Sequence, residues 1–368
     1  MDFRLGELFC GPGGIALGAH RAAEDVPGVR LVHAWASDYD RDTCATYLRN
    51  VPGAREESVI HQDVRALDIE SLSPIDGLAF GFPCNDFSLV GQQKGVEGAF
   101  GPLYRYGVEA LRVHQPKWFV AENVGGLASS NDGQAFRMIL GALSEAGDAG
   151  YKLYPHLYKF EQYGVPQRRH RILIVGVRRD LDVEYGVPDP SPYQHVDVRV
   201  GPRLVDPPIP GDAPNHEFTR QSETVVERLG HIRPGQNAFT AVMPERLRLN
   251  VGGAQISQIY RRLEFDRPSY TVTGSGGGGT HVYHWDEPRA LTNRERARIQ
   301  TFPDTFVFEG SKESVRKQIG MAVPVDGAKA VFTAVFRSFA GISYPTVAPN
   351  LAAMVPESMD IREHEVAN

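Results

Sequence analysis

Glu7-Leu8-Phe9-Cys10-Gly11-Pro12-Gly13-Gly14-Ile15-Ala16 is the stretch that decides the fold. An apolar run over 3–9 meets three glycines in four positions and continues into a helical pattern over 15–23, which reads as a strand turning sharply into a helix. Glycine at such a turn lets a nucleotide-like ligand come close to the backbone. Gly11-x-Gly13-x-x-Ala16 also fits the loose dinucleotide fingerprint, and Asp38 falls where a ribose-binding carboxylate is expected. Taken alone, the turn admits a nicotinamide dehydrogenase, or a connection that binds nothing.

Outward from that turn, short apolar runs at 30–37, 59–62, 77–82, 117–122, 151–160 and 171–178 alternate with helical patterns at 42–50, 104–114 and 134–146. This alternation predicts an α/β fold, a parallel sheet with crossover helices. Eight prolines between 187 and 214 mark a linker and the irregular start of a second, loop-rich domain, with a glycine cluster at 274–279. Helical patterns return at 293–301 and 314–339. The expected division is a first domain over 1–185, a smaller one over 186–300, a segment over 301–345 returning to the first, and a polar, mobile tail over 346–368.

Composition bounds the function. With 42% hydrophobic and 23% charged residues the chain holds a substantial core and is not disordered. No apolar run reaches the roughly 18 residues of a membrane span. The opening Met1-Asp2-Phe3-Arg4 leads straight into a strand pattern, so a cytoplasmic protein without a membrane partner is expected. Cys10, Cys44 and Cys84 are too few for a disulfide framework and lack zinc-site spacing, so no metal is expected and any important cysteine acts alone. The net charge of −6 argues against a polyanionic partner, but residues 152–300 carry 21 Lys and Arg against 17 Asp and Glu, which makes that segment the better anion-facing one.

Three further features bear on chemistry. Gly81-Phe82-Pro83-Cys84 ends the fourth strand, so the cysteine emerges at the carboxyl edge of the sheet, where α/β proteins bind ligands. Gly91, Gly95, Gly98 and Gly101 follow it, a composition suited to a closing lid. Glu122-Asn123-Val124 puts a carboxylate at the same edge, and Gln167-Arg168-Arg169-His170-Arg171 adds a basic cluster. Together they fit one reaction. Carbon 5 of cytosine is too weak a nucleophile to take a methyl group until a thiolate adds at carbon 6. An acid at ring nitrogen 3 and a cation at the ring oxygen assist that addition.

Through these motifs the chain resembles the bacterial DNA cytosine-5 methyltransferases, in family order over most of its length. Arg267-Pro268-Ser269-Tyr270-Thr271-Val272 and Gln318-Ile319-Gly320-Met321-Ala322-Val323-Pro324 resemble the two late motifs of that family. The resemblance implies a Rossmann-like fold with a mixed, mostly parallel sheet, and S-adenosylmethionine as cofactor. Phe9, Gly11, Gly13, Gly14, Asp38, Asp63, Pro83, Leu103 and Val323 would line the donor pocket. Cys84 would be the nucleophile, Glu122 the acid, and Arg169 and Arg171 the supports of thiolate, phosphate and base oxygen. The substrate implied is double-stranded DNA whose target base is flipped out, bound by a monomer, with a cognate restriction endonuclease or phage-defence proteins as partners. Residues 186–300 become a target-recognition domain, in which Arg203, Arg220, Arg228, Arg233, Arg246, Arg248, Arg261 and Arg262 are the candidate DNA contacts. Asn85 stands where the family has Gln, and Met321 where it has Asn. A transfer-RNA methyltransferase sharing the motifs and a non-catalytic DNA-binding protein remain as alternatives.

Overall fold

The computed structural model describes residues 1–82, 103–249, 257–277 and 279–356. Seven strands, β1 (Asp2–Leu8), β2 (Arg30–Asp38), β3 (Val59–His61), β4 (Gly77–Gly81), β5 (Trp118–Val124), β6 (Tyr151–Lys159) and β7 (His170–Arg178), form one sheet in the order β3-β2-β1-β4-β5-β7-β6. β7 runs antiparallel to both neighbours, and every other pairing is parallel. The chain passes from β6 to β7 without a crossover helix, which is why the direction reverses there.

Both faces of the sheet are covered, as the continuous apolar runs require. In β5, Trp118 and Val120 point to one side and Phe119 and Ala121 to the other, all fully buried. On the first side the sheet packs against α1 (Gly14–Asp25) and α9 (Val325–Ala340), with Phe3 stacked on Phe336. On the second it packs against α3 (Tyr104–His114) and α4 (Gln134–Ser144), through Leu111, Phe136 and Ile139. α2 (Arg41–Asn50) begins at Asp40, whose carboxylate caps the Thr43 N–H.

Beyond Tyr185 regular structure thins to α5 (Val200–Val205), α6 (Glu223–Gly230), α7 (Asn293–Ile299) and α8 (Lys312–Met321), around two smaller cores. Three expectations are corrected here. The helix expected over 314–339 is two helices, because Pro324 has no N–H to donate and drives the preceding residues extended, ending α8 at Met321. Residues 187–214 do not begin as a loose linker: β8 (Val187–Pro188) pairs with β9 (Thr346–Val347), and Tyr185 and Val187 are buried in the main core. Nor is the segment from 346 a free tail. Leu351, Met354 and Val355 pack on the α4 side, and Asn350 bonds the backbone of Leu157.

Candidate active site

β4 and β5 are in register with Gly81 opposite Glu122, and β7 places Leu173 on the far side of Glu122. Arg171 lies two positions from Leu173 and so presents its side chain on the same face as Glu122. The two meet, with Arg171 Nε 2.9 Å from Glu122 Oε1 and only 14% of either side chain exposed. Gly81 makes room for the pair, since a Cβ there would stand 3.1 Å from Glu122 Oε2. Burial draws the Arg171 guanidinium below its ordinary pKa, and Glu122 opposes that shift. The result is a sheltered carboxyl group whose orientation is fixed by a guanidinium at the carboxyl edge of the sheet. Asn123 is buried behind it and donates from Nδ2 to the Phe82 carbonyl at 3.0 Å, fastening the end of β4 to β5. Pro83, Cys84, Asn85 and the glycines at 91–101 follow in the chain and lie outside the described residues.

Arg169 sits differently from its expected role beside thiolate and base. It is 1% exposed and donates to the carbonyls of Val272 at 3.1 Å and Gly320 at 3.0 Å. Burial, with repulsion from Arg171, pushes its pKa well down. It therefore bolts the two late motifs to the start of β7. Gln167, which the sequence reading passed over, does the same work: its Oε1 accepts from Val272 N at 2.8 Å and its Nε2 donates to Gln300. Gln300 in turn donates to the Ile319 carbonyl. The available signal was an uncharged Gln at the head of a basic cluster. Met321 is 62% exposed at the end of α8, and it takes part in this spine only through its backbone carbonyl.

The glycine turn is built from left-handed residues. Phe9 (φ 53°), Gly11 (φ 56°) and Gly13 (φ 96°) all have positive φ, and Phe9 holds this conformation at the steric cost of a side chain. Gly11 N–H donates to Asp38 Oδ2 and Asp40 N–H to Asp38 Oδ1, each at 3.0 Å. Burial raises the Asp38 pKa against these bonds. Gly14 starts α1 against the other end of the chain, since a Cβ there would collide with the Val323 carbonyl oxygen. Asp63 follows Gln62, whose N–H bonds the Asp38 carbonyl at 3.0 Å, so the two acids lie at adjacent strand ends. Asp63 is half-buried, and hydrogen bonds from Arg65 hold it at about 2. Phe9 packs against the cluster that contains the buried Leu103. Phe9, Gly11, Gly13, Gly14, Asp38 and Val323 are thus gathered around one turn. An aromatic face beside a half-buried acid suits a nucleoside, and a Cβ built on Gly11 meets only open space.

Two of the eight recognition arginines are buried, and the exposed Arg203 lies 3.9 Å from Asp326. Arg228 donates to the Leu247 carbonyl, and Arg262 to those of His284, Leu229 and Ile232 at 2.8, 3.1 and 3.0 Å. Both are buried and hold the segment together, which removes them from the candidate DNA contacts. Arg246 pairs with Glu227. Arg220, Arg233 and Arg248 are exposed. Arg261 stacks over Tyr270 and, with the exposed Arg168, lines a cleft of about 160 Å³ between the arginine motif and the loop-rich segment.

Comparison with known proteins identifies the family. Residues 3–337 match the family described as C-5 cytosine-specific DNA methylase. The chain is 59% identical over 355 residues to the Type II methyltransferase M.BbvI of Brevibacillus brevis, covering 94% of each chain. It is 39% identical over 337 residues to M.NgoFVII of Neisseria gonorrhoeae, covering 87% of this chain and 83% of that one. Among solved structures, the Dnmt2 methyltransferase of S. pombe shares the fold, with a TM-score of 0.60 at 17% identity over 92% of this chain and 99% of that one. The chain therefore belongs to the C-5 cytosine-specific DNA methylase family, as an enzyme that transfers the methyl group of S-adenosylmethionine to carbon 5 of cytosine in DNA.

Proposed function

We propose that the enzyme methylates a cytosine rotated out of duplex DNA through a transient bond from Cys84 to carbon 6, within a restriction-modification system. The observation that carries the mechanism is the Glu122–Arg171 pair at the strand end beside β4, the strand that runs on to Cys84. The Cys84 thiolate adds to carbon 6 while Glu122 gives a proton to ring nitrogen 3, and Arg171 holds both Glu122 and the ring oxygen. Carbon 5, made electron-rich by this addition, takes the methyl group. Loss of the carbon 5 proton to solvent, expulsion of the thiolate and return of the nitrogen 3 proton to Glu122 then restore the neutral aromatic ring and the acid.

S-adenosylmethionine supplies an electrophilic methyl group on a sulfonium. When it is bound, Phe9 would face the adenine, Asp38 the ribose hydroxyls and Asp63 the adenine amino group, with Leu103 and Val323 closing the pocket. Asp63 must exchange Arg65 for the ligand. Extrusion of the base costs a few kcal/mol, which contacts from the 186–300 recognition domain offset. The enzyme acts as a monomer in the cytoplasm, where its product protects host DNA from a partner nuclease. The relatives named above, Type II methyltransferases, support that setting.

The test is a duplex carrying 5-fluorocytosine, which cannot lose its carbon 5 substituent. Incubated with methyl donor, wild-type enzyme should form a covalent complex stable to denaturant, and Cys84→Ser none. Bisulfite sequencing of DNA from expressing cells should show one methylated sequence. Absence of the complex from wild-type enzyme that methylates DNA would overturn the covalent route.

A further inference from the structure

α7 and α8 bring together two arginines that the mechanism does not use. Arg296 is 1% exposed, and among the described residues no acceptor lies within hydrogen-bonding distance of its Nη1. Its Nη2 donates to His281 Nδ1 at 3.0 Å, so that imidazole is neutral and offers no countercharge. Burial and the two arginines hold His281 down at about 4. Arg316 is also largely covered, and its Nε lacks an acceptor among the described residues. Its Nη2 donates to the Gly276 carbonyl at 3.2 Å.

Among the described residues, no buried carboxylate balances this charge. Glu313, 3.5 Å from Arg316, is 85% exposed, and Glu295 is taken by a two-pronged bond from Arg289. Lys317, the next residue, adds a further cation, directed to Asp40. Besides burial, repulsion from Arg316 lowers the Arg296 pKa to about 10. Buried donors without acceptors, on like charges held together, are costly in free protein and become favourable when an anion arrives.

The surface above them is shaped for one. Gly276 lies directly on the Arg316 guanidinium, where a Cβ would collide with it. Ser275 and Gly277 are exposed, and a Cβ built on Gly277 would meet nothing. Successive backbone N–H groups near a guanidinium are an anion-binding arrangement. The same segment runs back through Val272 to Arg169 and the catalytic edge, so it joins the recognition segment to the active site.

We propose that Arg316 and the 275–277 backbone seat one backbone phosphate of the bound DNA, while Arg296 behind them is a positioning residue whose uncompensated charge keeps the Arg316 guanidinium pressed toward the 275–277 backbone. This seat rests on the DNA reading above and adds to it a contact that fixes register without reading sequence.

Two variants and a modified DNA test it. Arg316→Met should weaken DNA binding about tenfold and reduce the slope of log affinity against log salt by about 0.9, the value of one phosphate. Donor binding, measured by calorimetry, should be retained. A single methylphosphonate linkage, scanned along the duplex, should weaken wild type at one position that Arg316→Met no longer senses. Arg296→Met should also weaken DNA binding, yet melt at a higher temperature than wild type without DNA; a purely structural arginine would melt lower. Should Arg316→Met fold poorly, Arg316→Lys keeps the charge and should retain the salt slope. Wild-type enzyme that methylates DNA alongside an Arg316→Met variant with the full salt slope, or an Arg296→Met variant that melts lower and binds DNA normally, would overturn the seat alone. Wild-type enzyme that methylates no DNA would overturn the functional reading instead.

Discussion

Glu122 and Arg171 meet because strand register brings them together, whereas Arg262 finds its partners from a single isolated bridge to Tyr283, outside any strand. In the sheet, backbone groups satisfy one another through the ladder, and side chains at the strand ends are left for chemistry. In the loop-rich segment beyond residue 200 few backbone groups pair in elements, and buried guanidinium forks collect the loose carbonyls. Arg262 joins two stretches of chain, 229–232 and 284–287, and Arg294 does likewise for Pro214 and for Pro303 and Phe306. Arg298 donates to the Pro207 carbonyl and to Asp304. The lesson is that arginine content in such a segment measures scaffold as much as affinity for phosphate.

That contrast is testable in order of effect. Cys84→Ser should lower methyl transfer on the order of 10⁴-fold or more while DNA binding persists, because a nucleophile has no substitute. Glu122→Gln should slow the single-turnover step by about 10²–10⁴-fold, the usual worth of a positioned acid, without lowering the melting temperature appreciably. If that variant were unstable instead, the strand-end pair would be scaffold, and the contrast would fail. Arg262→Met should do the reverse. Leaving several buried carbonyls unpaired should cost about 3–5 kcal/mol, read as lost hydrogen-exchange protection over 223–290 with the sheet still protected.

A smaller effect comes from Glu7, the one buried acid at the centre of the sheet. Burial lifts its pKa from the ordinary 4.5 to about 8, with Tyr47 donating to it. A raised carboxyl pKa contributes stability fully below about 4.5, and that contribution is lost as pH climbs toward 8. Wild type should therefore lose on the order of 5 °C of melting temperature between about pH 6 and pH 9, and Glu7→Gln should flatten the curve. Smallest of all, Arg248→Ala on the exposed face should leave stability unchanged and reduce DNA affinity less than about tenfold.

The sheet was legible in the sequence because strands buried on both faces are written as unbroken apolar runs. Every expected strand is present, with ends displaced by a residue or two. The run at 3–9 overshoots by one because Phe9 takes a left-handed conformation that hydropathy does not register. Pro324 was visible but was read through, because its neighbours on both sides keep a helical period. The tail looked polar, although Leu351, Met354 and Val355 repeat at helical spacing. Glu122 and Arg171 were legible by motif. The inward turn of Arg169, Arg228 and Arg262 was not, for a physical reason: their partners are main-chain carbonyls, which every residue carries and no letter of the sequence records.

Gly14, near the start of the chain, is closed over by the carbonyl of Val323, and Arg169 finds its acceptors at Val272 and Gly320. A ribosome must therefore deliver the chain as far as Val323 before the first glycine turn has its roof. A message broken upstream of that point would yield a fragment with an open turn and a stranded arginine. Such a fragment would modify no DNA at all, so for this enzyme interrupted synthesis ends in silence rather than in half-measures.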